Sequence, residues 1–280
     1  MGNRSNRMKE GLMMRYCQLY TGQQMPVLGM GFYQVPVLET SKVASQAIEI
    51  GYRLFDTAYY YGNEQGVGQA VRQSGLPRQD FFITSKVNSS GYLATKQAIK
   101  QALDKMQLDY LDLMLIHWMV PDYMGTYRAM EEAVSKGYVR AIGLSNFGRQ
   151  EIETVLSACR VRPAVLQSEC HLFHQQGAMR AYTQQVGIQF EGWAPFAEGR
   201  REIFQHPAVA AMARRYGKSV AQVLLAFLMQ EGVIVIPRTV NPSQMKENFD
   251  SLDLTLNPDD LAILRSFDEG RNLIWQENIV

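Results

Sequence analysis

The stretch Gly51-Tyr-Arg-Leu-Phe-Asp-Thr-Ala-Tyr-Tyr-Tyr-Gly-Asn-Glu64 sets a carboxylate, Asp56, and a phenol, Tyr61, directly behind a short apolar run. Two more titratable groups follow apolar runs of their own: Lys86 after Phe81-Phe-Ile-Thr-Ser85 and His117 after Leu111-Asp-Leu-Met-Leu-Ile116. A free phenol has a pKa of about 10 and releases its proton reluctantly at neutral pH. A neighbouring ammonium favours the phenolate and lowers that value, and a buried ammonium needs a counter-charge, which Asp56 is placed to supply. His117 can orient an oxygen or share the proton. As a set the four suit proton donation to a carbonyl oxygen. Singly each has a duller use: Asp56 as a loop cap, Tyr61 as a packing aromatic, Lys86 as a solvated charge, His117 as a hydrogen-bonded core residue.

What must position them is a rhythm of apolar strand, loop and amphipathic helix. Helical spacing and caps mark residues 41–50, 93–106, 123–135 and 149–158, and a helix opened by Ser219 and stopped at Gly232. Between them lie apolar strands at 26–31, 53–56, 81–85, 111–116, 141–144, 164–166, 188–190 and 233–236. Near-continuous apolar strands separated by helices are parallel strands covered on both faces. Eight of them in 280 residues predict an α/β fold: one (α/β)8 TIM barrel over residues 14–280, with extra helices. A loose tail, 1–13, and a small hairpin from 18–22 and 24–28 around Thr21-Gly22 precede it. In a barrel the strand ends share one rim. Here they carry Asp56, Lys86, His117, Ser145-Asn146, Gln167, Trp193 and Arg238-Thr239 in turn. Polar groups scattered for solubility would not collect at strand ends.

Other classes find little support. Gly29-Met-Gly31 reaches Gln34, and Gly66-Val-Gly68 reaches Val71, where a dinucleotide fingerprint needs its third glycine. His171-Leu-Phe-His174 has no third ligand at a metal-site spacing, so no metal is expected. A net charge of +1 without a basic, aromatic-interleaved run argues against nucleic acid. The longest apolar run, 223–229, is too short for a bilayer, and residues 1–11 lack a secretory apolar stretch. Met1-Gly2 is followed by Asn6, so the myristoylation pattern fails. Cys17, Cys159 and Cys170 have no ligand spacing and read as reduced thiols of a cytoplasmic protein, expected to be a monomer.

These residues resemble the aldo-keto reductase family. Asp56-Thr-Ala-Tyr-Tyr-Tyr61-Gly-Asn-Glu64 is similar to its first signature and Leu115-Ile-His117-Trp118 to its catalytic-histidine strand. Gly143-Leu-Ser-Asn-Phe147 is similar to its cofactor-amide segment, and Ile236-Pro-Arg-Thr-Val240 with Glu247-Asn248-Phe249 to its nucleotide-phosphate segment. The likeness runs in the family's order from about Cys17 to about Phe267, and Trp193 also occurs in the bacterial 2,5-diketo-D-gluconate-reductase-like branch. The resemblance implies reduction of an aldehyde or ketone by hydride transfer from a nicotinamide cofactor. By it Tyr61 is the proton donor, Lys86 its partner, Asp56 the counter-ion of Lys86, and His117 the residue that orients the carbonyl.

By the same resemblance Ser145, Asn146 and Gln167 would hold the nicotinamide carboxamide, Trp193 would stack on its ring, and Gly31 and Phe32 would border it. Ala194, Pro195 and Phe196 would lie over the pyrophosphate, in a segment that departs from the usual Ser/Gly form and brings Glu198 close. Arg238 and Thr239 take the place of a Lys-Ser pair that reads the ribose 2′-phosphate, with Val240, Glu247 and Asn248 beside them. Gln244 stands where NADPH-preferring members carry Arg, and Lys246 is a partial substitute. NADP(H) is therefore expected to be preferred, with NAD(H) usable. Tyr33, Tyr60 and Trp118, with Trp275, would wall a wide, shallow substrate pocket. A reading from another class is a nucleotide-sensing or partner-binding barrel with residual reductase activity.

Overall fold

The computed structural model describes residues 13–274, so Trp275 and nearly all of the expected tail lie outside the described residues. The chain opens with an antiparallel hairpin, β1 (Tyr16–Gln18) and β2 (Gln24–Pro26). The expected strand at 18–22 is instead the hairpin's turn. Leu19 and Gln23 bond across it, and Gly22 takes the left-handed conformation that the chain reversal requires.

Strand and helix then alternate. Their order is β3 (Met30–Gly31), α1 (Thr40–Ile50), β4 (Leu54–Asp56), α2 (Glu64–Gln73), β5 (Phe82–Val87), α3 (Tyr92–Met106), β6 (Leu111–Ile116) and α4 (Tyr123–Ser135). They continue with β7 (Val139–Ser145), α5 (Arg149–Ala158), β8 (Val165–Glu169), α6 (Gly177–Gln185), β9 (Gln189–Trp193), α7 (Pro207–Tyr216), α8 (Val220–Gln230), β10 (Ile234–Val235), α9 (Pro242–Phe249) and α10 (Pro258–Arg265). β3 to β10 form one parallel eight-stranded sheet in sequence order. It closes on itself where Leu28 bridges Val235, with Gly29 N donating to Val235 O at 2.8 Å and Gly31 N to Pro237 O at 3.1 Å. A side chain at Gly31 would put its Cβ 2.8 Å from Ile236 O, so glycine is what lets the first and last strands meet. The (α/β)8 barrel read from the sequence is the fold, with α7 and α10 as its extra helices.

Two apolar layers follow from period-two alternation along each strand. Outward residues such as Phe55, Ile83, Met114, Ile142, Leu166 and Phe190 pack against the helices. Inward residues Leu54, Phe82, Leu113, Leu115, Ala141, Val165, Ile234 and Ile236 fill the barrel, joined by Leu19 and Met25 of the hairpin. The fully buried stretch 223–229 of α8 explains the longest apolar run of the sequence. Its helix is set by a capping box in which Ser219 and Gln222 exchange backbone and side-chain bonds. No helix among the described residues is long and apolar enough to cross a membrane.

Candidate active site

The alternation that fills the barrel also aims the chemistry. Residues two positions beyond an inward one face inward too, so Leu54 leads to Asp56, Phe82 through Thr84 to Lys86, and Leu115 to His117. Asp56, Lys86 and His117 are buried, while Tyr61 is half-buried in the 3-10 turn Tyr59–Tyr61 behind β4. Asn63 pins that turn: its Nδ2 donates to Phe32 O at 2.8 Å and to Val35 O at 3.2 Å, and its Oδ1 accepts from Thr57 Oγ1. The polar residues of the Asp56–Glu64 motif thus divide into those that face the cavity, Asp56 and Tyr61, and those that hold the turn still.

Lys86 Nζ lies 2.5 Å from Asp56 Oδ1, donates to Thr57 O at 3.1 Å, and comes within 3.4 Å of Tyr61 Oη. Burial is the largest single influence and opposes the ammonium, but the Asp56 charge and hydrogen bond, together with Tyr61 and Glu191, outweigh it and the Lys86 pKa is raised. For Tyr61, burial pushes the phenol up and Lys86 pulls it down, and the net shift is upward. The pull foreseen from Lys86 is present, and burial exceeds it. The Tyr61 ring meets the His117 ring edge-on at 5.6 Å. Burial and the Lys86 charge hold the His117 pKa down at about 3, so its imidazole is neutral at physiological pH. That leaves orientation of an oxygen, not donation from an imidazolium.

Farther round the barrel, Gln167 Nε2 donates to Asp56 Oδ2 and to Glu191 Oε2, both at 2.8 Å. Only its Oε1 remains for a ligand. Asn146 donates from Nδ2 to His117 O at 3.1 Å and to Ser145 Oγ at 3.0 Å, and its Oδ1 accepts from Trp193 Nε1 at 2.9 Å. Asn146 thereby ties the ends of β6, β7 and β9 together in a left-handed conformation, φ 61°, which asparagine tolerates.

A cavity of about 980 Å³ opens over this rim. Its walls include Gly31, Asp56, Tyr61, His117, Ser145, Asn146, Gln167 and Trp193, the aromatics Tyr33, Tyr60 and Trp118, the segment Ala194, Pro195 and Phe196, and Arg238. That is ample for a dinucleotide's reactive end, and its lining combines polar groups with aromatic rings. Phe32 does not fit the place expected of it. Its ring packs on Phe55 in the core, its N–H donates to Asp56 O, and its carbonyl accepts from Asn63. Arg238 is exposed at the seam, donating to Tyr33 O at 3.2 Å and Gln34 O at 2.8 Å. Thr239 Oγ1 donates to Gln244 Oε1 at 2.6 Å. Val240 and Gln244 are exposed, Glu247 is half-buried on α9, Asn248 is buried, and Lys246 is paired with Asp250.

The model of the aldo/keto reductase family matches residues 28–269. This chain belongs to that family. It is similar to a protein named methylglyoxal reductase DkgA from Escherichia coli O157:H7, 36% identical over 259 residues, covering 91% of this chain and 94% of the relative. It is also similar to an aldo-keto reductase of Mycobacterium sp. (strain KMS), 38% identical over 260 residues, covering 91% and 94%. Among solved structures, an aldo/keto reductase from Brucella melitensis superposes with a TM-score of 0.88 at 37% identity, covering 92% of this chain and 99% of that one. The protein is an oxidoreductase, and its family reduces small-molecule carbonyl compounds with NAD(P)H.

Some residues of this reductase's site were not foreseen. Glu191, fully buried in the middle of β9, faces the barrel interior beneath Asp56. The signal was available: Trp193 stands at the strand's end facing in, so the residue two positions earlier faces in as well. Asn88, Arg200, Phe204 and Ile274 also line the cavity. Ile274 arrives there because the buried Glu169 carboxylate accepts from the backbone of Leu273 at 2.7 Å and of Ile274 at 3.1 Å. Sequence alone offers no sign of that anchor.

Proposed function

We propose that this reductase converts an aldehyde or ketone to the alcohol with NADPH preferred over NADH, and that Tyr61 delivers the proton. The observation that carries the reading is the contact of the Tyr61 hydroxyl, at the cavity wall, with a fully buried, Asp56-paired Lys86. A reduced nicotinamide, when bound, supplies the hydride. The chain's own residues do the rest. Trp193 and the free Oε1 of Gln167 fit a nicotinamide ring and its carboxamide, with Ser145 and Asn146 alongside. Neutral His117 and Tyr61 converge on a carbonyl oxygen placed between them. As negative charge develops on that oxygen, Tyr61 passes its proton to it, and the adjacent Lys86 ammonium stabilises the phenolate left behind. The raised phenol pKa keeps Tyr61 protonated until that moment.

NADPH preference rests on Arg238, whose guanidinium makes a good fork for a 2′-phosphate, together with Thr239. Gln244 adds no charge there, so the preference is moderate. Tyr61→Phe tests the proton role: turnover should fall by about 10²–10⁴ while NADPH binding, followed by protein fluorescence, is kept. Full activity in that variant removes Tyr61 from the role. Catalytic efficiencies with the two cofactors test the other half, and a clear preference for NADH would refute it.

A further inference from the structure

Glu191 is a fully buried carboxyl group in the barrel interior to which the chemistry above gives no part. The groups facing it are Asp56 from β4, Lys86 from β5, Gln167 from β8 and the Cys17 thiol from β1, while β10 presents Ile234. Around them the interior is filled by Leu54, Phe82, Leu113, Leu115 and Val165. One ammonium thus shares this apolar space with two carboxyl groups, and it is 2.5 Å from Asp56. A single amide nitrogen, Gln167 Nε2, is offered to both carboxyls at 2.8 Å. The other oxygen of Glu191, Oε1, is buried with no hydrogen-bond partner. A second carboxylate so placed would be an unpaired buried anion, which is costly, so the charge count leaves Glu191 neutral.

We propose that Glu191 is a positioning residue that works by holding a proton. Protonated, it braces the Gln167 amide and leaves Asp56 as the sole anion beneath Lys86; ionised, it adds a negative charge under the Lys86–Tyr61 pair and makes Tyr61 a poorer acid. The effect on turnover rests on the reading of Tyr61 as proton donor, whereas the proton on Glu191 does not. Burial, and next the Asp56 charge, raise the Glu191 pKa to about 8, within reach of ordinary buffers. The proton it loses above that pH passes to solvent, and reduction slows.

Two measurements on the intact protein and on Glu191→Gln decide it. Infrared difference spectra between pH 7 and pH 9 should show the wild type losing a carboxylic-acid C=O stretch that the variant lacks. Should Glu191→Gln fail to fold, Glu191→Leu serves to assign the band. Turnover of an aromatic aldehyde with NADPH is then read as the ratio of kcat at pH 9 to kcat at pH 7. One pH unit above its pKa about a tenth of a group stays protonated, so the wild-type ratio should fall three- to tenfold below that of Glu191→Gln. No band assignable to Glu191, or superimposable pH ratios, overturns the proposal. Absence of turnover in both proteins with the band present would instead count against the proposed carbonyl reduction through Tyr61, and the buried proton would stand.

Discussion

Replacing Asp56 with Asn tests the centre of the site through stability as well as catalysis. The substitution keeps shape and removes one charge from a pair whose side chains are 3% and 0% exposed. Solvent screening therefore offers little relief, and breaking such a pair from one side costs about 3–5 kcal/mol. Glu191 tempers the loss: without the Asp56 charge beside it, it ionises more easily and becomes a second-best counter-ion, which favours the lower end. At roughly 2–4 °C per kcal/mol for a domain of this order of size, Tm should drop by about 10 °C. Asp56→Asn with Lys86→Met removes both charges, and its loss should be smaller than the sum of the two single losses by at least about 2 kcal/mol. Urea unfolding followed by tryptophan fluorescence gives all four stabilities, and NADPH oxidation gives the activities, which should be lost in both single variants. Additive stability losses, or Asp56→Asn within about 1 kcal/mol of the wild type, would refute the buried pair as the site's electrostatic anchor.

Other consequences are open to test. Gln244→Arg, which adds a cation next to Thr239, should raise the preference for NADPH over NADH about tenfold, as one charge-assisted contact to a phosphate warrants; an unchanged ratio of catalytic efficiencies would place the 2′-phosphate elsewhere. Stability should fall on acidification through His117. Its folded pKa of about 3 lies below the ordinary 6.5, so the unfolded chain takes up a proton that the folded one refuses. The stability this confers is present above pH 6.5 and is lost progressively down to about 3, at most roughly 5 kcal/mol. His117→Leu should flatten that part of the urea-midpoint profile between pH 7 and 4, and an unaltered slope would assign the acid sensitivity to other groups.

Long elements with strong patterns were legible from the residues alone. The helices at 123–135 and 149–158 and the strand at 111–116 match α4, α5 and β6, because the apolar spacing there is regular and, at α4, Asp122 supplies a cap. The gathering of polar strand ends at one cavity was legible for the same reason, since a polar residue that interrupts an apolar run reports where the strand meets the rim. Short polar helices were not. α6 begins at Gly177 and buries only Tyr182 and Thr183, and α9 exposes most of its first turn, so few apolar residues mark either in the sequence. The protonation of Tyr61 was half legible: Lys86 as its neighbour follows from the motif, but the burial that outweighs Lys86 is a property of the assembled barrel. Gln167 taught the same lesson, because its commitment to Asp56 and Glu191 depends on three strands that are distant in sequence. The Phe32 side chain turns away from the cavity because successive residues of an extended segment point to opposite sides, and Gly31, at the end of β3, already takes the cavity side.

The guanidinium of Arg238 grips the peptide carbonyls of Tyr33 and Gln34, so under the 2′-phosphate role proposed for it a single side chain would join the dinucleotide's far end to the aromatic flank of the cavity. An engineer who swaps Arg238 to test that role also unfastens the turn that presents Tyr33. Coenzyme choice and chamber shape would then be, at this position, one design variable.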